Sequence, residues 1–180
     1  SLLILITVWV YYFFRDPERY SINDDNFLVS PADGLITDIS EKTGPEELRL
    51  ENTTYTRVSV FMNVFNCHVN RVPTSGSIEE IYYKPGKFLN ASLDKASEEN
   101  ERNYFKIKLS NGEEIVIVQI AGLIARRIVC EVEQGQDLKQ GERIGMIRFG
   151  SRVDVYFKNK KVLAKPGQNV VAGESLIASN

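Results

Sequence analysis

A glycine followed by a serine, Gly150-Ser151, lies between two strand-like runs at 144–147 and 153–157. In a tight turn such a step is common and needs no function. It can also carry an unusual reaction. Glycine leaves the attacked carbon free of a Cβ, and backbone strain at a turn exposes its carbonyl. The Ser151 hydroxyl can attack that carbonyl and shift the acyl group from nitrogen to oxygen. β-Elimination of the resulting ester gives dehydroalanine. Hydrolysis then leaves a pyruvoyl group at the head of 151–180 and a carboxylate on Gly150. Such a ketone can form a Schiff base with an amine and act as the electron sink of a decarboxylation, as pyridoxal phosphate does.

Other side chains could serve this chemistry. Imidazole has one source, because His68 is the only histidine. In an apolar-flanked strand a histidine is more often structural. Adjacent Cys67 is a poor nucleophile for it, since neighbouring strand residues point to opposite faces. Asp33, within Pro31-Ala32-Asp33-Gly34, can cap a turn or take part in the reaction. Arg71, Arg102 and Arg152 could grip a phosphate or carboxylate through paired hydrogen bonds, or stand as solvated surface charges. Asn63 and Asn66 fit a pocket wall as well as a turn or strand edge. One histidine and two scattered cysteines lack metal-ligand spacing, so no metal is expected.

The elements that must position these groups read as mainly β. The runs 35–39, 58–62, 78–83, 104–109 and 115–120 are rich in Val, Ile, Tyr or Phe and bounded by turn residues. Asn111-Gly112 marks a hairpin, since both residues tolerate positive φ. Gly44-Pro45 and Pro85-Gly86 mark loops, and 89–101 reads as a short helix or an ordered polar loop. An antiparallel barrel or sandwich follows. A repeat supports it: Gly135-Gln136-Asp137-Leu138-Lys139-Gln140-Gly141-Glu142 returns as Gly167-Gln168-Asn169-Val170-Val171-Ala172-Gly173-Glu174. Such turns resemble those of barrel-sandwich hybrid folds, and by themselves say nothing about activity.

With 180 residues, 43% apolar and 26% charged, the chain suits one folded domain, here 15–180. A net charge of −2 argues against a nucleic-acid partner. Cys67 and Cys130 make no disulfide framework. The first residue is Ser, which points to a processed or trimmed chain. Residues 2–14 are apolar apart from Thr7, yet shorter than the roughly 20 needed to span a bilayer. They read as the end of a membrane helix, as an interfacial anchor using Trp9, Tyr11 and Tyr12, or as a buried element. No basic leader or cleavage site marks a signal peptide. Arg15 and Arg19 place the domain on the cytoplasmic side.

Six segments in order raise the Gly-Ser step above background. They are Phe14-Arg15-Asp16-Pro17-Glu18-Arg19, Ser30-Pro31-Ala32-Asp33-Gly34, the run 61–73 around His68, Tyr83-Lys84-Pro85-Gly86, Asn100-Glu101-Arg102-Asn103 and Phe149-Gly150-Ser151. Together they resemble the short-form phosphatidylserine decarboxylases from about residue 13 to 178. The resemblance implies a pyruvoyl group made from Ser151 and an Asp33–His68–Ser151 set for cleavage and catalysis. His68 would be the general base and Asp33 its orienting partner. It also implies a membrane phospholipid substrate, with phosphatidylserine giving phosphatidylethanolamine and carbon dioxide, at the cell membrane. The chains 1–150 and 151–180 would stay together as a heterodimer, with higher assembly left open. Arg71, Asn63 and Arg102 are the candidates for holding substrate. Two departures stand out. Arg71 occupies the place of a second histidine in longer members, so His68 must cover both roles or the base differs. Phe-Gly-Ser-Arg also replaces Leu-Gly-Ser-Thr. Three alternatives remain: a decarboxylase of a related, ether-linked serine lipid, a membrane-tethered adaptor without activity, and a carrier domain modified at Lys95.

Overall fold

A computed structural model describes residues 2–87, 99–122, 127–148 and 150–180. The helix or loop expected over 89–101 lies almost wholly outside the described residues, as does Lys95.

Leu2–Phe13 forms helix α1. Its one polar residue, Thr7, bonds back to the Leu3 carbonyl at 2.8 Å, which keeps the hydroxyl satisfied on an apolar surface. Only Phe13 is buried. Leu2, Leu3, Ile4, Leu5, Ile6 and Val8 each expose more than half their surface, so the segment is not a buried element. No described helix is long and apolar enough to cross a membrane.

Fourteen strands follow among the described residues. They are β1 (Phe27–Val29), β2 (Gly34–Thr43), β3 (Thr54–Met62), β4 (Val69–Arg71), β5 (Gly76–Lys84), β6 (Arg102–Lys108) and β7 (Glu114–Ile120), then β8 (Ile128–Cys130), β9 (Asp137–Leu138), β10 (Arg143–Ile147), β11 (Ser151–Phe157), β12 (Lys161–Val162), β13 (Asn169–Val170) and β14 (Leu176–Ser179). Eight make one curled sheet in the order β13-β2-β3-β11-β7-β6-β5-β9, and two three-stranded sheets run β1-β14-β12 and β4-β10-β8. All strand pairs are antiparallel. The mainly β, antiparallel architecture expected from the alternating runs is what forms, as a curled half-barrel. At the expected hairpin only Gly112 takes positive φ (+84°), because a three-residue loop between Leu109 and Glu113 needs one left-handed residue, not two.

The repeat is structural and two-fold. Gly135, Gly141, Gly167 and Gly173 all have φ between +78° and +86°. Gly135 N donates to Ile78 O and Gly167 N to Ile36 O, at 2.7 and 2.8 Å. The partners are themselves an echo: Pro31-Ala32-Asp33-Gly34-Leu35-Ile36 matches Pro73-Thr74-Ser75-Gly76-Ser77-Ile78. Val29 N bonds Pro73 O and Arg71 N bonds Pro31 O, both at 2.9 Å, so the two halves cross at these prolines. The β1–β2 and β4–β5 units are thereby bound back to back.

The inner face of the large sheet carries the main core, including Val58, Val60, Phe105, Ile117, Val153 and Val155. Residues of opposite parity, among them Tyr55, Tyr104, Val118 and Tyr156, pack with Leu48 and Leu50 on the outer face. Towards one end the inner parity turns polar. Asn103 pairs with Gln119, Gln119 with Val153, and Ser151 follows on the same parity as Val153. The connection after α1 then runs over both glycine turns. Ser21 Oγ donates to Gly173 O at 2.6 Å, and Tyr20 N donates to Glu174 at 3.0 Å.

Candidate active site

Gly150 takes φ +56° immediately before β11. That left-handed angle costs a residue with a Cβ about 1–2 kcal/mol and costs glycine nothing. Beyond its chain neighbours, no atom of the described residues lies within 4 Å of where a Cβ would sit, so the angle, not crowding, selects glycine. Ser151 is fully buried. Its Oγ lies 4.0 Å from Sδ of Met62, its cross-strand partner.

His68 is also fully buried, and its carbonyl accepts from Ile147 N, three residues before Gly150. His68 Nδ1 lies 2.9 Å from the Asn66 carbonyl. A carbonyl can only accept, so Nδ1 carries the proton and Nε2 keeps a lone pair. Among the described residues, that Nε2 is buried without a partner. Phe13 lies against the ring with centroids 4.4 Å apart. Burial pushes the imidazole down to about 4, and Arg15 adds to the push, while the Asn66 carbonyl and Asp33 oppose it. The ring is therefore a neutral base near pH 7.

Asp33 is placed otherwise than the expected set requires. Its Oδ1 accepts from Ala172 N at 2.8 Å, and its Oδ2 pairs with Arg19 at 2.8 Å. Ser75, its two-fold counterpart, accepts from Gln140 N in the same way. Half of the carboxylate thus serves the turn. Among the described residues Asp33 makes no hydrogen bond to His68, and the Asn66 carbonyl orients the imidazole.

The three substrate candidates are dispersed. Arg71 is buried, with Asp16 at 2.9 Å and the Pro17 and Gly141 carbonyls as further partners. It borders a polar cleft of about 610 Å³ lined also by Arg19, Gln140, Glu142 and Arg143, where Arg143 in turn pairs with Asp16. Arg102 shares the outer parity with Tyr104, across the sheet from Ser151, and lies 3.5 Å from Glu47. Asn63 is exposed and caps the turn through Phe65 N at 2.8 Å. Arg152 faces outward too, held by Asp154 at 2.9 Å.

Sequence reasoning missed the groups that surround Ser151. Asn70 Nδ2 lies 3.6 Å from the same Met62 sulfur. Asn70 Oδ1 accepts from Gln119 Nε2 at 2.8 Å, and Gln119 Oε1 faces Asn103 Nδ2 at 3.4 Å. The signal was parity. In Glu114–Ile120, Gln119 falls on the side of Ile115 and Ile117, which the core claims.

A buried serine after a left-handed glycine, with a neutral histidine immediately before the adjoining sheet's strand β4, describes an enzyme site in a β half-barrel. The family model for phosphatidylserine decarboxylase matches residues 6–178. A phosphatidylserine decarboxylase proenzyme of Pelagibacter ubique is 66% identical over 175 residues, covering 97% of this chain and 81% of that protein. One from Ruegeria pomeroyi is 53% identical over 174 residues, covering 96% and 80%. One from Rickettsia akari is 53% identical over 175 residues, covering 97% and 76%. The chain belongs to the phosphatidylserine decarboxylase family, an enzyme family of phospholipid metabolism.

Proposed function

We propose that the chain cuts itself between Gly150 and Ser151 and then converts phosphatidylserine to phosphatidylethanolamine and carbon dioxide. The observation that carries the reading is the fully buried Ser151 behind a glycine at φ +56°. His68, whose Nε2 is unspent, lies two residues from Asn70, which shares Met62 with Ser151.

His68 Nε2 takes the Ser151 hydroxyl proton as Oγ attacks the Gly150 carbonyl carbon. The C–N bond breaks, and the proton passes to the freed Ser151 nitrogen. Removal of the Ser151 Cα proton expels the Gly150 carboxylate with Oγ. Water then replaces the nitrogen, which leaves as ammonia, and chain 151–180 begins with a pyruvoyl group. The site suits that group, since residue 151 is enclosed and faces the Asn70–Gln119 amides across Met62. When formed, the ketone supplies the electron sink for loss of carbon dioxide. His68 returns a proton to the substrate α-carbon.

In this reading α1 seats in the cell membrane and the domain faces the cytoplasm. Twelve residues make a helix of roughly 18 Å, against about 30 Å of hydrocarbon. The exposed apolar face of α1 supports the seat, and it brings Phe13, beside His68, close to lipid. Vesicles containing phosphatidylserine test both parts. Wild-type protein should float with them and release carbon dioxide, and Ser151→Ala should float but stay uncut and inactive. Full activity of Ser151→Ala would refute the reaction, and failure of the wild type to float would refute the membrane seat.

A further inference from the structure

We propose that Asn70 is a further catalytic residue, the amide that hydrogen-bonds the negative oxygen formed at the Gly150–Ser151 junction, and that Gln119 is its positioning residue. The inference rests on the self-cleavage reading and assigns that site a group of its own.

Asn70 and Gln119 are both fully buried. A buried amide is ordinarily satisfied by strong acceptors. Asn70 Oδ1 has one, the Gln119 Nε2 donor at 2.8 Å. Among the described residues, Asn70 Nδ2 has only the thioether of Met62 at 3.6 Å, a weak acceptor. The amide cannot turn over to improve this without losing the Gln119 bond. Gln119 is itself steadied by Asn103 Nδ2 on its oxygen. The chain Asn103–Gln119–Asn70 therefore aims the Asn70 amide donor at the sulfur that Ser151 Oγ also touches, at 4.0 Å. Met62 is unbranched and adaptable, so its thioether can yield to an oxygen.

Attack by Ser151 moves negative charge onto the Gly150 carbonyl oxygen, a few bonds from Oγ. A donor fixed beforehand in a dry site stabilises such charge without reorganisation. His68 Nε2, a lone-pair acceptor, cannot do this. Asn70 is the described side chain next to Ser151 with a donor poorly spent. Once elimination and hydrolysis are complete, the same amide faces the ketone at residue 151.

The test follows appearance of chain 151–180 from freshly made precursor, by mass, with and without hydroxylamine. Hydroxylamine splits an ester that has formed, and does nothing for a precursor in which the attack is blocked. Asn70→Asp keeps the shape and replaces the donor by an oxygen. It should slow cleavage about a hundredfold, as loss of one oxyanion donor does, and hydroxylamine should not restore it. Gln119→Met, which fills the space without orienting Asn70, should slow cleavage about tenfold with melting little changed. Cleavage of Asn70→Asp within twofold of wild type, or its rescue by hydroxylamine, would overturn the inference. Where Asn70→Asp fails to fold, Gln119→Met decides alone: an unchanged rate overturns the role and a slowed one supports it. A wild type that yields no chain 151–180, or a Ser151→Ala variant that does, would instead remove the underlying reading.

Discussion

Burial holds the His68 ring neutral down to about pH 4, and Phe13, 4.4 Å from it, supplies part of that burial. In the unfolded chain the ring would titrate near 6.5. Between pH 6.5 and 4 the unfolded state binds a proton that the folded state refuses, so stability is intact above 6.5 and falls as pH drops through this window. The loss amounts to about 3 kcal/mol at the bottom. Phe13→Ala should admit water and raise the midpoint by at least about one unit towards 6.5. With one histidine in the chain, the imidazole proton signals report this directly in a pH titration, and a midpoint that stays near 4 would show that Phe13 is not what dries the ring. The sequence disclosed Gly150, Ser151 and His68 through their types and order. It did not disclose that Asp33 spends its oxygens on Ala172 and Arg19, because those partners lie far along the chain or close by only after the connection folds back. Asn70 and Gln119 were legible only as polar residues on core parity.

At the scale of elements, the two glycine turns differ in what they touch. Gly135 and Gly141 have nearly equal φ, +86° and +84°. A Cβ at Gly135 meets nothing within 4 Å, whereas one at Gly141 would run into Ser21 Oγ. Gly135→Ala should therefore cost only the left-handed penalty of about 1–2 kcal/mol, and Gly141→Ala about 1 kcal/mol or more beyond it. Urea unfolding of the two variants measures the difference, and equal losses would mean that the connection does not press on the turn. The longer strands were readable because five or more alternating residues set their parity, as in Thr54–Met62 and Ser151–Phe157. The short ones were not. Asp137–Leu138 and Asn169–Val170 are two residues each, too brief for alternation, and only the glycine repeat betrayed them. The Pro-x-x-Gly-x-Ile echo at 31–36 and 73–78 would have revealed the two-fold, yet three matching positions in a window of six carry little weight without the pairing that joins them.

At the scale of the whole molecule, a cut at Gly150–Ser151 would not release its product. β11 is paired along seven residues with β3 and five with β7, and β14 lies between β1 and β12. Chain 151–180 thus supplies a central strand of the large sheet and the middle and one edge of a second sheet, and its apolar residues, Val153, Val155, Phe157 and Ile177, are in the main core. The two chains should co-elute in native gel filtration and part only in denaturant, whereas separation without denaturant would mean that the sheet does not survive the cut. The central claim is the cut itself. Intact mass of the purified wild-type protein under denaturing conditions tests it most directly. Two species are expected, 1–150 and 151–180, the smaller with a blocked N-terminus that gains mass with a carbonyl reagent. A single uncut chain in a preparation that decarboxylates phosphatidylserine would contradict it.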